Sequence, residues 1–342
     1  MSFSPRCVLV TGGAGFIGGH FIRGLLSGRL AGIPSPPRVV NLDALSYAAM
    51  PQRLADLDDN PGYRFVQGDV RDAGLVSDLL RGEHIDAIVH LAAESHVDRS
   101  IAGPDAFIQT NLLGTFTLLE AARTAWLERG KPRGRDVRFL QVSTDEVFGS
   151  LSEDSPAFRE GDAYAPNSPY SASKAGADHL VRAYHQTYGL PVLTSRCSNN
   201  YGPGQHAEKL VPTVIRACQR RQAIPIYGDG SNRRDWLHVE DHCRALWSIL
   251  TRGEPGESYN VGGGTELSNL EMARRICDLM DRRQDAGFEH ASLIAYVEDR
   301  KGHDWRYAID ASKLRGQLSW EPLVSFETGL AETVHWYLNA PE

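Results

Sequence analysis

The sequence predicts an α/β protein with a doubly wound parallel sheet and a smaller C-terminal lobe. Short apolar runs alternate with helix-compatible stretches as far as Ser195. A glycine pattern, Gly12-x-x-Gly15-x-x-Gly18, sits between the first run and the first helix, and an acid, Asp43, ends the second run. Strands separated by helices form parallel sheets, and such a loop placed there is the Rossmann-type arrangement, with ligands along the carboxyl ends of the strands.

The elements follow in order. Cys7 to Val10 is a strand buried on both faces. After the glycines, Phe21 to Leu26 reads as helix. A Pro- and Gly-rich connection, Gly28 to Pro37, leads to a strand over Arg38 to Leu42 that stops at Asp43. Tyr63 to Gln67, Ala87 to Leu91, Val137 to Val142 and Val192 to Ser195 are further strands. Ala73 to Leu80, Phe107 to Trp126 and Ala172 to Tyr188 are the helices between them. From Asn199 onward glycine, proline and aromatic residues become frequent, as in a lobe built from shorter pieces. The domain reading is therefore 1–197, with returns near 235–262, for the first lobe, and mainly 198–342 for the second.

A chain of 342 residues suits one large and one small lobe. A hydrophobic fraction of 42% and a charged fraction of 23% are ordinary for a globular enzyme. The net charge of -7 argues against nucleic acid as a partner. Five scattered cysteines, none in a C-x-x-C pair, read as reduced thiols and not as a disulfide frame or metal knuckle. No apolar run reaches the roughly 20 residues of a membrane span. The segment before Gly12 is too short for a signal peptide. The expectation is a cytoplasmic protein.

In the glycine loop, the first glycine permits a tight turn and the second lets backbone approach a pyrophosphate. The third allows close packing of the helix. The helix start offers free N–H groups and a partial positive charge to the phosphates. Asp43 is placed to accept from a ribose diol and to repel a 2′-phosphate, which favours NAD over NADP. Asp69 either reaches the adenine or caps a turn.

Tyr170 and Lys174 lie four apart and share a helix face. Forming a tyrosine phenolate at neutral pH costs roughly 4 kcal/mol, which a nearby ammonium together with the positive nicotinamide ring would lower. Ser143 and Thr144 end a strand, and Asp145-Glu146 follow at once. Hydroxide leaves badly, so eliminating water needs one carboxyl that carries its proton and another that is ionised. Adjacent acids supply both, whereas a solvated helix N-terminus is the plain structural alternative. His238 and His242 are four apart but lack the zincin order between them, so they read as structural and no metal is expected. Cys197 has no histidine partner nearby in sequence.

The glycine loop, the strand-end hydroxyl and the Tyr170-x-x-x-Lys174 pair resemble the extended short-chain dehydrogenase/reductase superfamily. The segments Leu91–Ser100, Ser143–Gly149, Cys197–Pro203, Glu208–Leu210, Arg234–Trp236 and Asp299–Asp304 are similar to blocks of its dTDP-glucose 4,6-dehydratase family. The resemblance runs from residue 11 to about 307. It implies conversion of dTDP-glucose to dTDP-4-keto-6-deoxyglucose and water, with NAD as cofactor. Tyr170 would take the O4 proton as C4 is oxidised, with Lys174 beside it. Glu146 would take the C5 proton, Asp145 would protonate the departing C6 hydroxyl, and Thr144 would bond the reacting oxygen. Cofactor contacts are expected at Gly12, Gly15, Phe16, Ile17, Gly18, Asp43, Ala44, Leu45, Ser46, Asp69, Val70, Leu91, Ala92, Ala93, Ser95, Thr110, Tyr170, Lys174 and Asn200. Substrate contacts are expected at Ser95, His96, Thr144, Asn199, Lys209, Leu210, Pro225, Ile226, Tyr227, Arg234, Asn269, Asp299, Arg300 and His303. Lys209 and Arg234 suit a diphosphate.

Ala49-Met50 replaces a common Gly-Asn pair, and Lys301 a common proline, so contacts near both positions are open. Apolar surface on the Phe107–Trp126 helix and on the Tyr170 helix, together with the family's habit, suggests a homodimer. A UDP-sugar 4-epimerase or decarboxylase shares C4 oxidation but has no use for an acid at C6. A non-catalytic NAD-binding interaction protein needs none of the four reactive side chains.

Overall fold

The computed structural model describes residues 2–30, 36–283 and 287–339. Much of the connection expected over Gly28 to Pro37 lies outside the described residues. Among the described residues twelve strands follow in chain order: β1 Cys7–Thr11, β2 Arg38–Asp43, β3 Tyr63–Gln67, β4 Ala87–His90, β5 Arg138–Thr144 and β6 Val192–Cys197. Then come β7 Asn199–Tyr201, β8 Ile224–Tyr227, β9 Arg233–His238, β10 Ser258–Val261, β11 Glu266–Ser268 and β12 Ile294–Val297. Seven of them form one sheet in the order β10-β6-β5-β4-β1-β2-β3, and each pair is parallel. This is the expected doubly wound Rossmann-type sheet, whose strand order reverses beside β1, where ligands settle.

The apolar runs do not alternate with polar residues because both sheet faces are covered. Val8, Val10, Val39, Val89 and Leu140 pack on one side with Phe21, Ile22, Leu246 and Ile249. Leu9, Val40, Leu42, Ile88 and Phe139 pack on the other with Val76, Leu79, Leu118 and Val181. Successive strand residues thus feed opposite cores.

Helix boundaries differ from the sequence expectation in two informative ways. The Tyr170 helix runs Pro169–Tyr188, three residues earlier than expected. Ser168 accepts from Ser171 N, Ser171 returns the bond, and Pro169 opens the helix, so the cap moves the start forward. The stretch expected as one helix from Phe107 to Trp126 contains wide turns at Ile108–Leu113 and Thr124–Glu128 flanking the regular helix Gly114–Arg123.

The second lobe has its own core, including Val214, Ile215, Ile226, Trp236, Met272, Ile276 and Leu330. Its sheets are β11-β9-β7 and the pair β12-β8. Of the segment 235–262, residues to His238 lie in β9 of this lobe. The helix Val239–Arg252 and β10 belong to the large sheet's side, because Leu246, Ile249, Tyr259 and Val261 are core residues there. Leu314, Leu318 and Trp320 join that core too, a return that short apolar spacing did not reveal.

Candidate active site

The carboxyl ends of β1, β2, β4 and β5 open into a cavity of about 570 Å³. Gly12, at φ +74, makes the turn after β1, and a Cβ there would sit 2.7 Å from Ala92 N. At Gly15 such an atom would meet Gly12 O at 3.1 Å, closer than ordinary contact. At Gly18 it would lie 2.3 Å from Gly12 O: the third glycine seats the helix against the loop itself. Gly13, which pattern reading passed over, matters as much, because its Cβ would fall 2.2 Å from Asn41 Oδ1. The helix Phe16–Leu26 starts with no side-chain cap and no acid in its first turn, leaving its N–H groups to an anion.

Asp43 Oδ2 accepts from Ala14 N at 2.9 Å and Oδ1 from Leu45 N at 2.8 Å. Each oxygen keeps a further lone pair, so the carboxylate can still accept from a diol. Burial raises its pKa, and the two N–H bonds oppose the rise. Leu45 does not line the cavity; its backbone, at φ 53, serves to hold Asp43. Asp69 lines the cavity, caps Arg71 N at 2.8 Å and grips the Arg71 guanidinium. The uncapped helix, the glycine cradle and the ribose-ready acid all fit NAD.

Phe16, Ile17, Ala44, Ser46, Val70, Leu91, Ala92, Ala93, Ser95, Thr110, Asn199 and Asn200 also line the cavity, as do Thr144, Asp145, Glu146, Tyr170, Lys174 and Lys209. The reactive set and the cofactor set therefore share one space. Asp145 is 2% exposed and is not a solvated helix terminus. Thr144 bonds Asp145 Oδ1 at 3.3 Å, while Asp145 Oδ2 is buried without a partner among the described residues. Burial, then Glu146, then Asp235 push the Asp145 pKa well above the carboxylate range. Glu146 is raised too, chiefly by burial, but Arg234, Lys209 and Arg300 pull it back. The neighbours thus divide the pair: Asp145 keeps its proton more strongly, and Glu146 faces the cations.

The Tyr170 pKa is raised well above the phenol value, by burial first and Glu146 next, with the Thr144 hydroxyl opposing. Lys174 Nζ donates to Val142 O at 2.6 Å, and burial depresses its own pKa. Cys197 is buried, and its thiol is pushed up to about 12, chiefly by burial.

The expected substrate residues divide. Lys209 Nζ donates to Ser95 O at 2.9 Å from the cavity wall. His96, Leu210, Pro225, Ile226, Tyr227, Arg234, Asn269, Asp299, Arg300 and His303 lie outside that wall. His96 caps the helix Val97–Ala102, and Leu210 begins the helix Leu210–Arg220. Ile226 is a core residue, Pro225 is exposed beside it on β8, and Asn269 opens the helix Asn269–Arg283. Tyr227 bonds Asp98 at 3.3 Å beneath the Arg300 guanidinium, and His303 pairs with Asp299 at 2.6 Å. Arg234 donates to the carbonyls of Arg233, Trp305 and Asp304, so its fork is largely engaged, although its charge still reaches Glu146 and Asp145. Met50 joins the loop through its backbone, donating to Ala14 O at 2.8 Å. His238 caps the helix Val239–Arg252, and His242 bonds Asn200 Oδ1 at 2.9 Å.

Sequence reasoning missed Gln109, Gln205 and His206 on the cavity wall. Gln109 comes from the wide turn Ile108–Leu113 and Gln205-His206 from the segment before the helix Leu210–Arg220, and no spacing links the two. Asp235, buried and raised to about 6 chiefly by burial, was seen only as part of a block.

Strand order, glycine cradle and Tyr170–Lys174 helix together define an extended short-chain dehydrogenase/reductase. The family model for GDP-mannose 4,6 dehydratase matches residues 9–333, and the chain belongs to this family of nucleotide-sugar 4,6-dehydratases. It is 55% identical over 333 residues to a dTDP-glucose 4,6-dehydratase of Xanthomonas campestris pv. campestris (strain B100), covering 97% of this chain and 93% of that one. To dTDP-glucose 4,6-dehydratase 1 of Escherichia coli (strain K12) it is 48% identical over 340 residues, covering 97% and 92%. The structure is similar to that of the dTDP-glucose 4,6-dehydratase DesIV from Streptomyces venezuelae, crystallised with NAD bound. That match has TM-score 0.89, identity 49%, and 97% of both chains covered. A UDP-glucose 4-epimerase from Thermotoga maritima is similar at TM-score 0.83 and 26% identity, covering 97% of this chain and 98% of that one.

Proposed function

We propose that this protein converts dTDP-glucose to dTDP-4-keto-6-deoxyglucose and water. The observation that carries the proposal is the buried Asp145, with an unpartnered oxygen, beside Glu146 in the cavity that Tyr170 also lines. The glycine loop, Asp43 and the wall from Leu91 to Ala93 would hold NAD. When bound there, NAD would supply the redox chemistry of hydride transfer between C4 and C6.

The chain's own residues do the rest. Burial holds the Tyr170 phenol high, and the positive charges of Lys174 and of a bound nicotinamide ring would favour the phenolate that accepts the O4 proton; Thr144, already bonded toward the acid turn, positions that oxygen. Lys174 contributes positive charge while anchored on Val142 O. Once C4 is a ketone, the neighbouring C5–H is acidic, and Glu146 is the group whose surrounding cations favour its ionised form. Asp145, the acid that burial keeps protonated, delivers its proton as the C6 hydroxyl departs. Lys209 supplies charge for the diphosphate, with Arg300 and His303 in the adjacent polar cluster. An epimerase, which the fold also resembles, has no task for Asp145.

Two lobes serve these two ligands: residues 1–197 with the later returns carry the cofactor, and most of 198–342 carries the nucleotide sugar. A homodimer is part of the proposal. Ile108, Leu113, Phe116, Leu127 and Tyr188 are exposed on the two helical stretches expected to pair. No helix among the described residues is long and apolar enough to cross a membrane. Incubation with dTDP-glucose in the presence of NAD tests the function: a product lighter by one water supports it, and unchanged substrate refutes it.

A further inference from the structure

Two segments distant in sequence line the same cavity and are tied together outside it. Ser46, Ala48 and Ala49 come from the first lobe, beginning just past Asp43; His206, Glu208 and Lys209 come from the second. Tyr47, set among the first three, does not line the cavity. Its hydroxyl donates to Glu208 Oε1 at 3.1 Å, and its ring lies 3.6 Å below the Arg99 guanidinium carbon. His206 packs edge-on to the same ring, with centroids 5.7 Å apart. Burial raises the phenol to about 12, so it remains a donor at neutral pH. The same loop is braced further along by Arg53, which donates to Gly204 O.

We propose that Tyr47, Glu208 and Arg99 form a clasp that joins the lobes beside the ribose acid and retains NAD through the catalytic cycle. The inference rests on the dehydratase reading. In that reaction the cofactor reduced in the first half must be reoxidised in the second, so loss between halves would strand a keto sugar. A contact that closes the loop after Asp43 slows that loss without touching a reacting atom. The partners differ in kind: a charge-assisted hydrogen bond gives direction, and a cation over a ring gives contact area.

The test compares the parent with Tyr47→Phe, Glu208→Ala and the double variant, each loaded with NAD and passed through gel filtration. Retained NAD is read by absorbance over time, without substrate. Tyr47 is 40% exposed, so losing its hydroxyl leaves the core intact. Each single variant should release NAD about tenfold faster, and the double variant no faster than Glu208→Ala alone, because both changes remove one shared bond. Parental retention in both single variants, or multiplied effects in the double, would overturn the clasp. Failure of the parent to turn over dTDP-glucose would count against the dehydratase reading instead, since retention is measured independently of turnover.

Discussion

Asp145 follows immediately on β5, and the strand end delivers it, 2% exposed, to the cavity wall. Burial and the Glu146 charge act in the same direction, both favouring the protonated form. Replacing Asp145 by Asn keeps the shape and removes the proton donor. Water loss should slow by about 10²–10⁴, while C4 oxidation, followed by reduced-cofactor absorbance on mixing with substrate, slows far less. Equal loss of both would contradict the division of roles. Stability should move the other way. A carboxyl whose folded pKa is raised binds more protons folded than unfolded, so stability falls as pH rises from the ordinary Asp range through the raised value. Asp145→Asn should therefore melt above the parent at pH 8, and the gap should close as pH falls toward 4. A variant less stable than the parent at pH 8 would mean that the carboxylate is better solvated than its burial indicates. Spacing placed Lys174 on the face of Tyr170, and its ammonium also donates to Val142 O at 2.6 Å, while burial raises the Tyr170 phenol.

The elements that present these residues depend on small features at their ends. Ser168 and Ser171 cap each other's backbone at 3.1 and 3.0 Å, which places Tyr170 in the first turn of its helix. Ser168→Ala should cost about 0.5–2 kcal/mol in urea unfolding and lower turnover by shifting that turn; an unchanged midpoint would remove the cap from the account. At the glycine loop, Gly18→Ala drives a methyl toward Gly12 O at 2.3 Å. Overpacking there should cost about 1–3 kcal/mol and abolish NAD binding by calorimetry, whereas binding at the parental level would show that the loop can yield. The parallel strands were legible because both-face burial writes continuous apolar runs such as Cys7 to Val10. The wide turns at Ile108–Leu113 and Thr124–Glu128 were not, because the same apolar spacing serves a regular helix equally well.

At the scale of the molecule, the site is a meeting of two lobes, and its legibility splits along that line. The glycine loop, Asp43, Asp145-Glu146 and Tyr170-Lys174 carry their spacing in the chain. Residues from the second lobe divide: Asn199, Asn200 and Lys209, named as contacts, line the cavity, Ile226 went to the core and Arg234 to backbone carbonyls, and His206 and Gln205 reached the cavity unannounced. Long-range packing decides such positions, and local pattern has no access to it. The exposed Phe116, with Ile108 and Leu113, belongs to this scale as well. Sedimentation should give a dimer at micromolar concentration, and Phe116→Glu should shift it toward monomer; a parent that sediments as monomer would contradict the pairing. The central claim is that the buried acid pair makes this fold a dehydratase. Its most direct test is mass and NMR analysis of the product from dTDP-glucose deuterated at C4. The account predicts loss of one water with the deuterium now on C6 of the same molecule. A product that keeps all its oxygen, or that loses water while the label washes out, would contradict it.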